Sequence, residues 1–142
     1  MEKYIHKTQY YETDQMGIIH HSNYFRWFEE ARVDFLEKMG YGYDRLEEDG
    51  IISPVLKISC EYKGMVRFND SVEISIKLLE ASPYKFKIHY EIFDYKDGLL
   101  RAIGESSHCY LNKAGQPVSI KKVNPKFYET FKKYIGVDID DV

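Results

Sequence analysis

The stretch from Tyr11 to Gly40, YETDQMGIIHHSNYFRWFEEARVDFLEKMG, joins a polar loop to the longest amphipathic segment of the chain. At about 100° per residue, its apolar side chains collect on one half of a helix and its charged side chains on the other. The apolar half contains Tyr24, Phe25, Trp27, Phe28, Ala31, Phe35, Leu36 and Met39. This arc of roughly 180° is wider than the stripe of about 100° that is typical of a surface helix. We therefore expect a curved antiparallel β-sheet to wrap around this helix.

Both ends of the helix carry sequence signals. Ser22 can accept a hydrogen bond from a backbone N–H of the first turn, which predicts it as the N-cap. Gly40 tolerates the left-handed conformation that commonly follows a last turn. Asp14, Gly17 and His21 come just before the helix, so a carboxylate lies close in sequence to free N–H groups and to the positive end of the helix dipole. This arrangement suits acyl transfer or hydrolysis, in which a carbonyl oxygen becomes negative.

At these positions the chain resembles the hot dog fold acyl-CoA thioesterases of the 4-hydroxybenzoyl-CoA thioesterase type. The matching residues are Thr13-Asp14, Gly17, His21, Asn23-Tyr24, Glu29, Ala31 and Arg32. A weaker likeness continues through Tyr62, Arg67 and Asp70 and along the later strands, so it covers most of the chain. The resemblance implies a hot dog fold, an acyl-CoA substrate and active sites built between two subunits.

The resemblance also implies roles for three of these residues. Asp14 stands at the position of the family's catalytic carboxylate, acting as a general base toward water or as a nucleophile toward the thioester. The backbone N–H of His21 matches the family's oxyanion donor, and its imidazole is either an orienting group or a structural side chain. Gly17 lets the backbone turn or approach a ligand. From spacing alone, Asp14 followed by Gly17 is also ordinary turn chemistry.

Candidates for substrate binding follow from the chemistry of CoA. Its phosphates favour cations at the mouth of the site, and the candidates beside predicted connectors are Lys63, Arg67 and Lys85. Exposed lysines are otherwise simply solvated. Tyr24 is a candidate for the wall of the acyl pocket, with core packing as the alternative. Arg32 falls inside the apolar arc and is expected to tie the helix to a neighbouring segment or subunit, because a buried guanidinium needs compensation.

Composition excludes several other classes of function. The 142 residues carry a net charge of −3 with interspersed signs, which gives no argument for nucleic acid or an anionic membrane as a partner. No apolar run approaches the ~20 residues that span a bilayer, and the first residues lack a signal-peptide core, so we expect a cytoplasmic location. Cys60 and Cys109 do not suggest a disulfide framework, and His20-His21 lacks further metal ligands. We expect neither a metal nor a redox cofactor.

The rest of the chain predicts strands at 3–11, 51–62, 71–81, 85–94 and 99–112 and short helices at 43–49 and 125–135. One long helix with an antiparallel meander is typical of an α+β fold, and we expect a single hot dog domain over 1–142. The open edge of such a sheet needs cover. We therefore expect a homodimer at least, with a tetramer left open.

The sequence thus predicts an acyl-CoA thioesterase in which Asp14 supplies the base or nucleophile and the start of the helix stabilises the oxyanion. Two other hypotheses about the function stay open. One is another acyl-thioester enzyme on the same fold, such as a dehydratase, and the other is a non-catalytic module that binds acyl-CoA. The acyl group, and acyl carrier protein in place of CoA, are also left open.

Overall fold

The computed structural model describes residues 1–138 and builds them around one antiparallel sheet and one long helix. Five strands pair in the order β1-β4-β5-β6-β3, with bounds Tyr4–Lys7 (β1), Val55–Tyr62 (β3), Ser71–Ala81 (β4), Lys85–Asp94 (β5) and Leu100–Cys109 (β6). A second pair joins β2 (Ile51–Ile52) to β7 (Leu111–Asn112). The helices are α1 (Ser22–Lys38), α2 (Tyr43–Glu48), α3 (Ile120–Val123) and α4 (Pro125–Lys132). Within the described residues, no helix has the length and apolar character needed to cross a membrane.

The core lies between α1 and one face of the sheet. Alternation along β4 and β5 buries every second side chain, as predicted, and these are Val72, Ile74, Ile76, Leu78, Phe86, Ile88, Tyr90 and Ile92. From α1, Trp27 and Phe28 are fully buried against this face. The prediction of an α+β hot dog fold, with one long helix against an antiparallel sheet, is confirmed.

Several predicted boundaries are wrong. The first strand ends at Lys7, because Tyr10–Glu12 forms a single 3₁₀ turn that brings the Glu12 carboxylate onto the Gln9 N–H. The predicted strand at 51–62 is two strands, since Pro54 has no N–H to continue a ladder. The last strand is likewise interrupted after Cys109, and the short helix α3 was not predicted.

The start of α1 also differs from its prediction, whereas its end agrees. Ser22 is the first residue of the helix, and His21 takes the N-cap position with a helical backbone and no capping side chain. The Ser22 hydroxyl lies 2.9 Å from His20 Nδ1, which also accepts the Ser22 backbone N–H at 3.2 Å. The Ser22 hydroxyl, which was expected to cap the helix, is therefore hydrogen-bonded to the His20 imidazole instead. Gly40 adopts a left-handed φ of 87°, as predicted.

Gly104 allows α1 to approach the sheet closely. The ring of Phe28 stacks on that of Tyr90 with 4.4 Å between centroids. A Cβ built on Gly104 would overlap the Phe28 ring and would lie 3.1 Å from the Ser59 carbonyl oxygen. The missing side chain at this position of β6 thus makes room for the most deeply buried part of the helix.

Gly104→Ala should destabilise the protein by about 1–3 kcal/mol, because an added methyl group overpacks a core that has no free space beside Phe28. Denaturant unfolding at neutral pH measures this change. Ser107→Ala, on the opposite face of β6, is the matched control and should change the free energy of unfolding by less than about 0.5 kcal/mol. Equal stability of the two variants would contradict the packing described above.

A line of buried polar groups joins α1 to α2 and the sheet. Arg32, only 5% exposed, donates from Nη1 to Tyr90 Oη at 2.9 Å and from Nε to Tyr43 Oη at 3.0 Å. Tyr90 Oη lies 2.6 Å from Ser106 Oγ, which lies 2.7 Å from His108 Nε2. Among residues 1–138, no carboxylate pairs with Arg32. The expected tie to neighbouring segments is present, but hydroxyl groups rather than a counter-charge compensate the guanidinium.

His108 should make the stability of the fold depend on pH. Its complete burial and the nearby Arg32 lower its pKa from 6.5 to about 3. Between these values the unfolded chain binds a proton that the folded chain does not. The free energy of unfolding should therefore be highest above pH 6.5 and fall on acidification, by up to about 1.4 kcal/mol per pH unit from this group.

Denaturant titrations across this pH range test the prediction. His108→Gln should flatten the dependence, because glutamine does not titrate. Ser107→Ala, which removes no titratable group and lies on the opposite face of β6, should keep the slope of the parent protein. An unchanged slope in His108→Gln would show that another group causes the pH dependence.

Candidate active site

Asp14 shapes its own loop and leaves one carboxylate oxygen available. Its Oδ1 accepts the backbone N–H groups of Met16 at 2.7 Å and Ile18 at 3.2 Å, and its own N–H donates to the Ile18 carbonyl at 2.8 Å. Gly17 closes the turn with a left-handed φ of 73°. Asp14 is half-buried, and its Oδ2 has no hydrogen-bond partner within residues 1–138. The loop therefore presents a carboxylate that it also holds rigidly.

The Asp14 loop is anchored on the segment between β3 and β4. The Ile19 N–H donates to the Val66 carbonyl at 2.9 Å, and the Phe68 N–H donates to the Gly17 carbonyl at 3.2 Å. Ile18 forms an antiparallel bridge with Arg67 between these two contacts. Arg67 thereby lies next to the loop that carries Asp14, although the two residues are more than fifty positions apart in sequence.

The first turn of α1 presents a free backbone amide at His21. The Ser22 N–H is bound by His20 Nδ1, and the N–H groups of Asn23 and Tyr24 donate to the carbonyls of His20 and His21 at 3.1 and 3.3 Å. The His21 N–H has no acceptor in the described part of the chain. The His21 imidazole packs on the His20 ring at 4.2 Å and makes no hydrogen bond to Asp14. The imidazole therefore does not orient Asp14 in this structure, and whether it orients a substrate stays a prediction.

Glu12 lies behind these two elements and is buried, with 4% exposure. Its Oε1 lies 2.9 Å from His6 Nε2 and accepts the Gln9 N–H at 2.7 Å, while its Oε2 accepts the Trp27 indole N–H at 2.7 Å. Burial alone would raise the pKa of Glu12, but the hydrogen bonds from His6, Trp27 and Gln9 outweigh it and lower the pKa below 4.5. Glu12 is therefore an ionised carboxylate in the interior.

Sequence reasoning missed Glu12. The signal that points to it is Trp27, which lies in the middle of the apolar arc and carries an indole N–H that needs an acceptor once it is buried. The acceptor, Glu12, lies fifteen residues before Trp27, directly after the segment 3–11 whose alternation predicts an unbroken strand. The pattern therefore gave no reason to turn a glutamate inward.

Tyr62 and Tyr24 pack beside the start of α1. Tyr62 donates from its hydroxyl to the His21 carbonyl at 3.2 Å, and its ring meets that of Tyr24 edge-on at 4.9 Å. Tyr24 is 3% exposed, and its burial raises its pKa to about 12. Tyr24 therefore packs in the core of this chain, and its place in the wall of an acyl pocket stays a prediction. Tyr62 is half-exposed beside the free amide.

The three candidate cations lie in different places. Arg67 borders an open cleft of about 1000 Å³, which is lined also by Met65, Asn69, Asp70, Tyr95, Lys96 and Arg101. Lys63 follows Tyr62 directly, and its Nζ lies 3.0 Å from Glu61 Oε1. Lys85 begins β5, whereas Asp94 at the other end of β5 lines the Arg67 cleft. At about 3.4 Å per residue, Lys85 is roughly 30 Å from that end, so one chain does not bring it to Asp14.

Comparison with known proteins agrees with this architecture. A family model described as the thioesterase-like superfamily matches residues 8–131. A protein of Aquifex aeolicus that is provisionally named an esterase is 40% identical over 119 residues, which cover 84% of this chain and 91% of that protein. A Bacillus subtilis protein provisionally named an acyl-CoA thioesterase is 29% identical over 128 residues, 89% of this chain and 92% of its own length.

A solved structure extends the likeness to three dimensions. The structure of a DHNA-CoA thioesterase from Staphylococcus aureus superposes with a TM-score of 0.88 at 32% identity and covers 93% of this chain and 89% of that one. The family match at residues 8–131 spans the Asp14 loop, α1 and four of the five strands of the main sheet, β3, β4, β5 and β6. The chain therefore belongs to the thioesterase-like superfamily.

Proposed function

We propose that this protein hydrolyses acyl-CoA thioesters to a free acid and CoA. The observation that carries the proposal is the Asp14 carboxylate, whose Oδ1 is committed to the loop while Oδ2 has no partner within residues 1–138. The unpaired His21 N–H at the start of α1 supplies a donor for a developing oxyanion. The relatives named as thioesterases in Bacillus subtilis and Staphylococcus aureus support the same reaction.

Asp14 can act in either of two ways. As a general base, Oδ2 removes a proton from water, the water oxygen attacks the thioester carbonyl, and collapse of the intermediate expels the CoA thiolate, which takes up the proton. As a nucleophile, Oδ2 attacks the carbonyl and expels the thiolate, and water then cleaves the resulting mixed anhydride. Both routes consume one water and release one acid and one CoA thiol.

The His21 amide acts at the same stage in both routes. The carbonyl oxygen becomes negative in each tetrahedral intermediate, and a backbone N–H at a helix start meets that charge with the positive end of the helix dipole. Because the donor belongs to the backbone, its role does not depend on the imidazole. Gly17 adopts a left-handed φ of 73°, which a glycine tolerates and which lets the backbone turn back after Asp14.

Arg67 and Lys63 are our proposed contacts for the phosphates of CoA, since both lie beside the Asp14 loop or the start of α1. Lys85 can contribute only from another subunit. The substrate panel described below tests the acyl group, and acyl carrier protein in place of CoA stays an open alternative. The cytoplasmic location stays a prediction from the sequence.

We also propose that two copies of the chain associate through β3. This strand pairs with β6 on one edge and has no partner on the other within the described residues. It exposes apolar side chains, including Leu56 at 53%, and a second strand is the direct way to cover such an edge. A tetramer would add a further interface to this dimer.

Asp14→Asn should lower kcat by about 10²- to 10⁴-fold, the usual contribution of a base or nucleophile, because the amide oxygen neither takes a proton nor attacks. The loop should stay intact, since the asparagine oxygen can still accept both N–H groups. Free-thiol release from a panel of short, long and aromatic acyl-CoA substrates measures the change. His21→Ala is the matched control and should cost much less, because it leaves the backbone amide in place.

The same assay distinguishes the thioesterase from the two alternative hypotheses, a binding module and a dehydratase. Full activity in Asp14→Asn would exclude the proposed role of Asp14. Acyl-CoA binding by both proteins without turnover would favour a binding module, or a carrier-protein substrate. Water addition to or loss from a hydroxyacyl substrate, without thiol release, would indicate a dehydratase.

Leu56→Lys should convert the dimer to a monomer, because it places a charge on the apolar edge of β3. Size-exclusion chromatography with light scattering measures the mass in solution. Leu99→Lys, which changes an equally exposed leucine in the connection between β5 and β6, should leave the dimer intact. A monomeric parent protein, or a dimer that persists in Leu56→Lys, would exclude this interface.

A further inference from the structure

We infer that Glu12 is a positioning residue that holds the Asp14 loop and the first turn of α1 in register. This inference rests on the proposed function, because it concerns how the two halves of that site are placed. Glu12 is buried and does not reach a substrate, so its effect on the reaction is indirect.

The two halves of the site are not joined by the Asp14 side chain. Asp14 bonds to Met16 and Ile18 within its own loop, and the loop is anchored on the segment before β4. No hydrogen bond in the described residues joins Asp14 to residues 20–24 at the start of α1. Their separation must therefore be set by another group.

The main chain of Glu12 supplies this connection. Its carbonyl oxygen accepts the His20 N–H at 2.9 Å and the Asn23 Nδ2 at 2.9 Å. These donors flank the His21 amide on both sides, and Asn23 Nδ2 also lies 3.2 Å from the His20 carbonyl. Glu12 is two residues before Asp14, so one peptide group ties the carboxylate loop to the oxyanion donor.

The Glu12 side chain in turn fixes that peptide group. Its two oxygens receive N–H groups from β1, from the 3₁₀ turn and from the middle of α1, through His6, Gln9 and Trp27. A carboxylate is suited to this position because it only accepts. Glutamine has nearly the same shape, but its NH₂ group would face one of these donors, and a buried donor would lose its partner.

A second glutamate provides a matched control. His6 Nδ1 lies 3.1 Å from Glu30 Oε2, which also accepts the Tyr4 hydroxyl at 2.7 Å. Glu30 thus contacts the same imidazole from the other side, but it makes no contact with the Asp14 loop, and its side chain is 43% exposed. A purely structural role of the network predicts similar effects at both glutamates, whereas a positioning role predicts an effect on kcat at Glu12 alone.

The test compares Glu12→Gln with Glu30→Gln in the full-length protein. Glu12→Gln should lower kcat by about tenfold to a hundredfold with KM changed by less than about threefold, because misplacement of reacting groups mainly affects the chemical step. Glu30→Gln should keep kcat within about twofold. Trp27 is the only tryptophan, so its emission should shift in Glu12→Gln and stay unchanged in Glu30→Gln.

Amide resonances keep this test separate from the proposed function. In ¹H–¹⁵N spectra, Glu12→Gln should shift the His21 and Gly17 amides together, and Glu30→Gln should not. A parent protein that cleaves no thioester would overturn the proposed function, and these shifts would still show whether Glu12 holds the two segments. Unshifted amides, or a parental kcat in Glu12→Gln, would overturn the positioning role.

If Glu12→Gln does not fold, Asn23→Ala replaces it. The substitution removes the two hydrogen bonds from Nδ2 without burying a charge, and the Glu12 carbonyl keeps the His20 N–H as a donor. The expected result is again a loss of about tenfold or more in kcat with a small change in KM. A folded Asn23→Ala protein with parental kcat would also contradict the inference.

Discussion

The burial of Trp27 and Phe28 between α1 and the sheet is the constraint on which the rest of the structure depends. Phe28 requires the bare backbone at Gly104, which brings the helix down onto β6. Trp27 requires an acceptor for its indole N–H, and Glu12 supplies it from outside the helix. The packing of Phe28 therefore requires a glycine in the sheet. The burial of Trp27 requires an acceptor, and this acceptor is an ionised carboxylate in the core beneath the candidate site.

Two buried charges, one beside α1 and one within it, are stabilised in different ways. Near its start, Glu12 is surrounded by N–H donors, which keep it ionised although it is buried. Twenty residues later, in the second half of α1, Arg32 is buried among hydroxyl groups, with no carboxylate in the described chain to oppose it. The start of a helix favours a negative charge, so the position of Glu12 beside the start of α1 agrees with the helix dipole.

The family match and the local geometry support each other at Asp14. Membership in the thioesterase-like superfamily rests on the whole chain, whereas the availability of Oδ2 and of the His21 amide is local. A fold alone does not establish a reaction. The proposed reaction therefore draws on both: the family indicates a thioester, and the available carboxylate, the helix-start amide and the cleft beside Arg67 form the proposed site.

The sequence by itself determined the helix, the meander of β4 and β5 and the fold class, because periodicity depends only on which side chains share a face. It also indicated Asp14, Gly17 and His21 as neighbours of a helix start. Only the tertiary structure decided that Glu12 points inward and that Lys85 lies far from Asp14. It also decided that the Ser22 hydroxyl bonds to the His20 ring instead of capping the helix. These outcomes depend on contacts between residues distant in sequence, and local patterns carry no information about which donor will meet which acceptor.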